Sequence, residues 1–418
     1  MSQLRLIVYT LLCMTGRITM LGISRWAGKC GSYRTMQRFF QKEMDWLLIN
    51  WTLIKTLFKE DEKDVFLIAG DTTTVSKSGK STYGIGRFFS SLCSRKISGI
   101  GFQTLSLISV NRRASFPILT EQMAPPPKVP KKKKRVQTKK KQKVGRPLGS
   151  KNKDLRNIEL NTELIQIQQM LRRVLDVMKE TTKLAFFVYD GAFGNNAAVQ
   201  MTRQVGLHLI SKIRNNAALC FQYTGSQKPR GRKKYYGSRI DYSNMNDKYL
   251  ISTEITKKFC TKIYQCKAVH AKFADPLNIV IILKKDLKSE KEARIILFSS
   301  DLKRDGNKIV EYYRLRFQIE FNFRDAKQHW GLEDFMVITQ RSILNFANLS
   351  LFMVNVSHLL LLYSGESSVL DLKSRYHCFY YVKHIFKLVT KTGYDIIIEP
   401  LLEQIPVPGR IHERKTAA

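Results

Sequence analysis

The sequence is poor in cysteine and in acidic side chains. Its seven cysteines in 418 residues, among them Cys13, Cys30, Cys220, Cys260 and Cys266, are scattered, with no CxxC pair and no cysteine–histidine cluster at metal-ligand spacing. That excludes a zinc module or a disulfide-stapled scaffold and fits reduced thiols in a cytosolic protein. There is no phosphate-binding loop: Gly79-Lys80-Ser81 matches only the tail of the motif, with Thr74 where a glycine is required, so no ATP dependence is expected. There is also no clean membrane span. Ile343 to Tyr363 comes nearest, but Asn345, Asn348, Asn355 and His358 interrupt it, which predicts a buried helix and no membrane partner. Leu4 to Met14 is apolar with Arg5 inside it, but it lacks a small-residue cleavage site and runs on into Gly16 and Arg17. It reads as a core helix rather than a signal peptide. No internal repeat is present at solenoid or propeller periods.

What the chain has in excess is positive charge. Lysine and arginine number 71 against 34 aspartates and glutamates, a formal charge of +37, while 44% of the residues are hydrophobic. Such a chain folds, into two or three structural units on length alone, and surrounds itself with a field that attracts polyanions. Because the excess recurs along most of the chain, nucleic acid explains it better than one acidic small molecule. Ribosomal and chromatin-packing proteins share this charge, so charge alone does not imply an enzyme.

Local patterning divides the chain. Residues 1–60 read as several short helices; the helix–Gly turn–helix pattern around Gly31 to Thr35, with Arg34, Arg38 and Lys42 beside apolar Met36, Phe39 and Phe40, fits a DNA-binding helix-turn-helix and a plain helical bundle equally well. Residues 61–213 alternate apolar strands (Val65 to Ala69, Gly99 to Val110, Phe116 to Thr120, Leu184 to Tyr189, Leu207 to Ile213) with helices at Glu159 to Thr182 and Asn195 to Val205. The Pro- and Lys-rich stretch 124–157 interrupts them and reads as a basic flexible insertion. Residues 214–303 form a β-rich block of their own, 304–365 carry two long helices (Lys308 to Trp330 and Ile343 to Tyr363), and 366–418 form a C-terminal region that frays from Pro406.

Two aspartates, Asp71 and Asp190, each follow an apolar strand, where a sheet delivers side chains to a crevice; either alone is more often a turn or helix cap. A third element adds weight. In the helix over Lys308 to Trp330, the spacing Tyr313, Arg316, Glu320, Lys327 places four polar side chains within a stripe about 60° wide. Phe317 and Phe321 border it on one side and Tyr312, Ile319 and Phe323 on the other, which predicts a buried helix with one wet seam. The competing reading is a structural Arg316/Glu320 pair at i, i+4.

These residues resemble the DDE transposases of bacterial insertion sequences that carry the YREK signature, Tyr-x2-Arg-x3-Glu-x6-Lys, which Tyr313, Arg316, Glu320 and Lys327 match in full. The two aspartates stand where such enzymes place theirs, in Phe66-Leu-Ile-Ala-Gly-Asp71 and in Phe187-Val-Tyr-Asp190-Gly-Ala-Phe193, and the resemblance runs from about Val65 to about Leu361. It implies an α/β fold: an RNase H-like catalytic core with a β-rich insertion between Asp190 and Glu320 and an N-terminal helical DNA-binding region. It implies catalytic, metal-holding Asp71, Asp190 and Glu320, a set of hard oxygen donors suited to Mg²⁺ with Mn²⁺ as substitute. Tyr313, Arg316 and Lys327 would hold the phosphates of double-stranded transposon-end and target DNA, with the chain paired as a homodimer in the synaptic complex, in the cytoplasm on the nucleoid. Relatives that pass through a DNA hairpin use a Trp of the β insertion to hold a flipped base. Here Trp occurs only at positions 26, 46, 51 and 330, so Tyr223, Tyr235, Tyr236 or Tyr264 would have to stack instead. Two rivals remain: an RNase H-like nuclease that cleaves without joining, and a non-enzymatic DNA-binding descendant, whose expected loss of an acidic residue is absent.

Two short motifs stand apart. Lys143-Val-Gly145-Arg146-Pro147 and Pro229-Arg230-Gly231-Arg232-Lys233 resemble the core of AT-hooks, in which arginines enter a narrow A·T minor groove; solvated basic linkers touching phosphates fit as well. Pro130 to Val136 looks like a nuclear import signal but reads better as a chance lysine run.

Overall fold

The computed structural model describes residues 2–27, 31–59, 64–90, 94–123 and 154–392. The insertion expected at 124–157, with Arg146 and the import-like run, falls almost wholly outside the described residues, as does the C-terminal fraying. The sheet begins with β1 (Phe66–Ser76), where Phe66, Leu67, Ile68 and Ala69 are all buried, as expected of a strand covered on both faces. It pairs antiparallel with β3 (Arg95–Ser109), which carries β2 (Gly86–Ser90) and β4 (Ala114–Gln122) on its other edge. The chain then crosses over through α5 (Thr162–Met178) to β5 (Phe186–Val188), parallel to β1, and through α6 (Asn196–Gln204) to β6 (His208–Ile213), parallel to β5. The order β4-β3-β1-β5-β6 is a mixed α/β sheet consistent with an RNase H-like core.

The β-rich segment does not form a sheet of its own. Beyond the small pair β7 (Cys220–Gln222) and β8 (Tyr236–Arg239), the strands β9 (Leu250–Ile255), β10 (Phe259–Ala268), β11 (Leu277–Asp286) and β12 (Glu292–Ser299) form a meander. Ile296 to Ser299 of β12 pair antiparallel with Ile213 to Ile210 of β6, so one ten-stranded sheet runs through both parts. The pairing removes β6 as an exposed edge. One face is covered by α7 (Gly306–Leu315), whose Ile309, Val310, Tyr312 and Leu315 pack on Leu67, Val188, Ile210 and Leu297. The opposite face receives α5, α6 and α4 (Trp46–Lys59).

The long apolar helix is α9 (Gln340–Ser364), and the structure accounts for its asparagines. Asn345 donates to the carbonyls of Phe40 and Lys42 at 2.7 and 2.9 Å, where α3 (Tyr33–Gln41) ends, and accepts from Trp46 at 2.8 Å. Asn348 donates to Thr120 O at 3.0 Å, and Asn355 to Pro117 O and to Asn50 Oδ1, both at 2.7 Å. Asn50 reaches Ile118 O. Amide side chains from α4 and α9 thus satisfy the carbonyls of edge strand β4 inside the protein, which is why a helix long and apolar enough to cross a membrane carries them. Asn355→Ala strands two buried partners, so it should cost about 2–4 kcal/mol by urea unfolding; a loss under about 0.5 kcal/mol would show that water replaces the amide.

The first helices, α1 (Ser2–Cys13), α2 (Met20–Ala27) and α3, pack on the same cluster as α9. Phe40 stacks on Phe346 at 4.1 Å, which uses the apolar face of α3 and leaves Arg34, Arg38 and Lys42 exposed.

Candidate active site

Asp71 lies in the middle of β1, opposite Thr104 of β3, rather than at the end of its strand. The β-branched run Thr72 to Val75 continues the ladder past the point where the apolar run stops. Gly70 is required by its neighbour: a Cβ there would meet the ring of Tyr189 at 2.4 Å. Tyr189 crosses over at that place and donates to Gln103 Oε1 at 2.7 Å, while the Gln103 amide donates to Asp71 O at 3.2 Å. This buried chain of contacts sets the end of β5 beside the middle of β1. Asp190 follows immediately and caps a short 3₁₀ turn, Gly191–Phe193, its Oδ1 accepting from Ala192 N at 3.0 Å. Ser211 donates to its carbonyl at 2.6 Å. Asp190 is therefore a cap, and it also stands close enough to Asp71 to repel its charge.

The third acid arrives on a helix that is broken. Arg316 and Phe317 form a tight turn between α7 and α8 (Gln318–His329), with Ile319 N bonding back to Arg316 O and Glu320 N to Phe317 O. The stripe has one buried border, Tyr312, Ile319 and Phe323; the other, Phe317 and Phe321, is exposed at 48% and 36%. The seam is thus the edge of an open surface rather than a groove inside the core. From the turn, Arg316 donates from Nη1 to Asp71 Oδ2 and from Nη2 to Glu320 Oε1, both at 3.1 Å. The i, i+4 pair is real and has a third member 245 residues away.

The electrostatics follow from burial. The Asp71 carboxyl is pushed up to about 6: burial raises it most, Arg316 and the Thr72 N–H oppose, and the charges of Asp190 and Glu320 push it further. Burial likewise raises the Tyr313 phenol, whose ring lies 5.8 Å from the Arg316 guanidinium. Asp71, Asp190, Glu320, Arg316 and Tyr313 therefore share one neighbourhood. Lys327, in the last turn of α8, reaches β1 further along, donating to Thr74 O at 3.1 Å and paired with Glu333 at 3.0 Å. Arg230 and Arg232 belong to the β7–β8 loop and not to this group.

Sequence reasoning missed Glu163, in the first turn of α5. Burial raises its carboxyl and so does the charge of Asp190, placing a fourth acid beside the site. Its only sequence signal is its position at the start of a helix that follows Asn161, the N-cap. Also unforeseen is a cavity of about 650 Å³ next to Tyr313 and Arg316, walled by Phe259, Ile295, Leu297 and Phe317 with Lys284 and Arg314 on its lining. Of the tyrosines considered for stacking, Tyr264 is 4% exposed and cannot receive a base; Tyr223, Tyr235 and Tyr236 reach the surface around β7 and β8.

No curated protein matches this sequence. The family model of the DDE superfamily endonucleases matches residues 1–265, a span that includes Asp71 and Asp190 and stops before Glu320. With a mixed sheet that sets Asp71 and Asp190 at adjacent strands, and with that match over more than half its length, the chain belongs to the DDE superfamily endonuclease family.

Proposed function

We propose that this protein is the transposase of an insertion sequence, one that binds the element's inverted-repeat ends, cleaves them and joins the freed 3′ ends to target DNA. Family membership implies a DNA substrate and a nuclease that works with divalent metal ions. The observation that carries the finer reading is the Arg316 bridge between Asp71 and Glu320, which ties two acids and the YREK arginine into one cluster beside Asp190.

The residues present fit a divalent ion by their chemistry. They supply hard carboxylate oxygens, and Asp71 is desolvated beyond what one guanidinium offsets. Among the described residues no three such side chains are gathered tightly enough to hold an ion as they stand, and Arg316 spans the space between Asp71 and Glu320. Asp71, Asp190 and Glu320 would hold Mg²⁺ or Mn²⁺, whose chemistry is to activate an attacking water or 3′-hydroxyl and to stabilise the leaving oxygen. Arg316 would donate to phosphate oxygens in place of the two carboxylates, which its fork matches with the same geometry. Tyr313, its phenol raised by burial, stays protonated at neutral pH and donates to the same backbone. Lys327, held by Thr74 and Glu333, positions a neighbouring phosphate. Two ends must be paired for joining, so the working form is at least a homodimer, acting in the cytoplasm on the nucleoid.

The test is an assay with purified protein, a duplex ending in the element's inverted repeat, a supercoiled target and Mg²⁺ or Mn²⁺. Joined products with the 3′ end linked to target DNA are expected. Cleavage without any joined product would establish the nuclease reading instead.

A further inference from the structure

We propose that the tip of the β7–β8 hairpin is a preformed contact for duplex DNA that places Arg230 and Arg232 in the minor groove of A·T-rich sequence. The proposal rests on DNA as the substrate and shares no residue with the carboxylate site.

The root of the hairpin is fixed in the core. Cys220 and Val269 exchange backbone hydrogen bonds at 3.0 and 2.8 Å, Ile240 N donates to Leu219 O at 2.9 Å, and Leu219, Ile240 and Tyr242 are buried. Above the root the loop is closed twice. Tyr223 N donates to Tyr235 O at 3.0 Å, and the Gln227 amide clamps the backbone of Lys234, donating to its carbonyl at 2.7 Å and accepting from its N–H at 2.8 Å. Lys234 Nζ lies 4.6 Å over the Tyr223 ring, and the Tyr223 hydroxyl donates to Ser226 O. What projects beyond the clamp is Lys228-Pro229-Arg230-Gly231-Arg232-Lys233, all of it exposed.

Three features of this tip select the minor groove. Gly231 has φ +96°, and a Cβ there would meet nothing within 4 Å, so the apex is bare backbone facing open space between two arginines. Such an apex is thin enough for a groove about 6 Å wide. The chain carries no acidic residue between Asp190 and Asp241, and the carboxylate that acts on the hairpin from outside it, Asp275, is paired with Arg156 and Arg203. The one amide of the loop, Gln227, is committed to the clamp and is not free to read adenine in the major groove. Narrow A·T minor grooves concentrate negative potential and draw in arginine, whose guanidinium sheds water more readily than an ammonium. Because the loop is already closed, little ordering opposes binding.

The experiment measures anisotropy of the full chain in EDTA, so that no cleavage enters, on A·T-rich and G·C-rich duplexes of equal length across a salt series. Three proteins are compared: wild type, Arg230→Ala/Arg232→Ala, and Arg230→Lys/Arg232→Lys. Wild type should prefer the A·T duplex by about tenfold; the alanine pair should lose most of that preference and flatten the salt slope by about two. The lysine pair should keep the salt slope and still lose the preference. Netropsin, a minor-groove ligand, should compete with wild type on the A·T duplex. Absence of a preference in wild type, or a preference that survives in the alanine pair, would overturn the proposal, as would equal losses on both duplexes. Urea unfolding of both variants at the wild-type midpoint, expected for an exposed tip, ties the result to the tip itself. Failure here would leave the cleavage site untouched, since the readout needs neither metal nor chemistry.

Discussion

Asp71→Asn should abolish cleavage and at the same time make the protein more stable at neutral pH. The carboxyl is raised from 3.8 to about 6 by burial, against the pull of Arg316. A raised acid penalises the ionised native state: the penalty is absent below the unfolded value, grows as pH climbs through 4 to 6, and is full at pH 7. A neutral isostere escapes it, so urea unfolding at pH 7 should show a gain of about 2–3 kcal/mol, shrinking to about 1 kcal/mol or less by pH 4.5. Cleavage should fall by at least about a thousandfold, roughly 4 kcal/mol of barrier. Asp190→Ala and Glu320→Gln should lose cleavage to the same degree without the gain. The first forfeits a cap, at about 1 kcal/mol, and the second changes a side chain that is 42% exposed. Wild-type cleavage in any of the three would remove that residue from the chemistry. A destabilised Asp71→Asn at pH 7 would mean that the ion pair with Arg316 outweighs burial.

Arg316→Gln should have the second-largest effect, and its two readouts separate the roles weighed from the sequence. The Arg316 side chain is 11% exposed and bonded to both acids, so its removal leaves Asp71 buried without a counter-charge; because Asp71, already raised to about 6, then takes up a proton, the cost at pH 7 is held to about 1–1.5 kcal/mol. At pH 5, where Asp71 takes up a proton, the loss should be visibly smaller. In an Asp71→Asn background it should nearly vanish, because the uncompensated charge is then gone. Cleavage by the folded fraction should drop about a hundredfold or more if the arginine also positions the scissile phosphate. Normal cleavage by the folded fraction, together with the stability loss, would reduce Arg316 to a strut.

Legibility in the sequence tracked the range of the interactions. The strands around Asp71 and Asp190 were readable because apolar runs buried on both faces are a local signal. Where β1 ends was not, since Thr72 to Val75 extend only by pairing with β3. β2 was missed for the same reason: Gly86–Ser90 is short and becomes a strand by lying against Arg95 to Gly99. The register of β12 on β6 joins segments about eighty residues apart, which no local alternation encodes, so the β-rich segment looked separate. At the site, the spacing from Tyr313 to Lys327 put the residues on one helical stretch, but the turn at Arg316 and Phe317 and the bridge to Asp71 depend on how that stretch meets the sheet. Glu163 was invisible because its significance lies in a neighbour, Asp190, that only the crossover brings close.

The asparagines of α9 have a consequence beyond stability. Through Asn345 they grip the end of α3, and through Asn348 and Asn355 they grip β4, in the same sheet as Asp71. The first helices and the carboxylates are therefore fastened to one strut. If those helices hold DNA, they hold it at one fixed distance and one rotational setting from the acids. The protein then works as a gauge: the bond that is cut is chosen by counting base pairs from the sequence that is gripped, about ten to a turn, with no need to read the sequence at the cut itself.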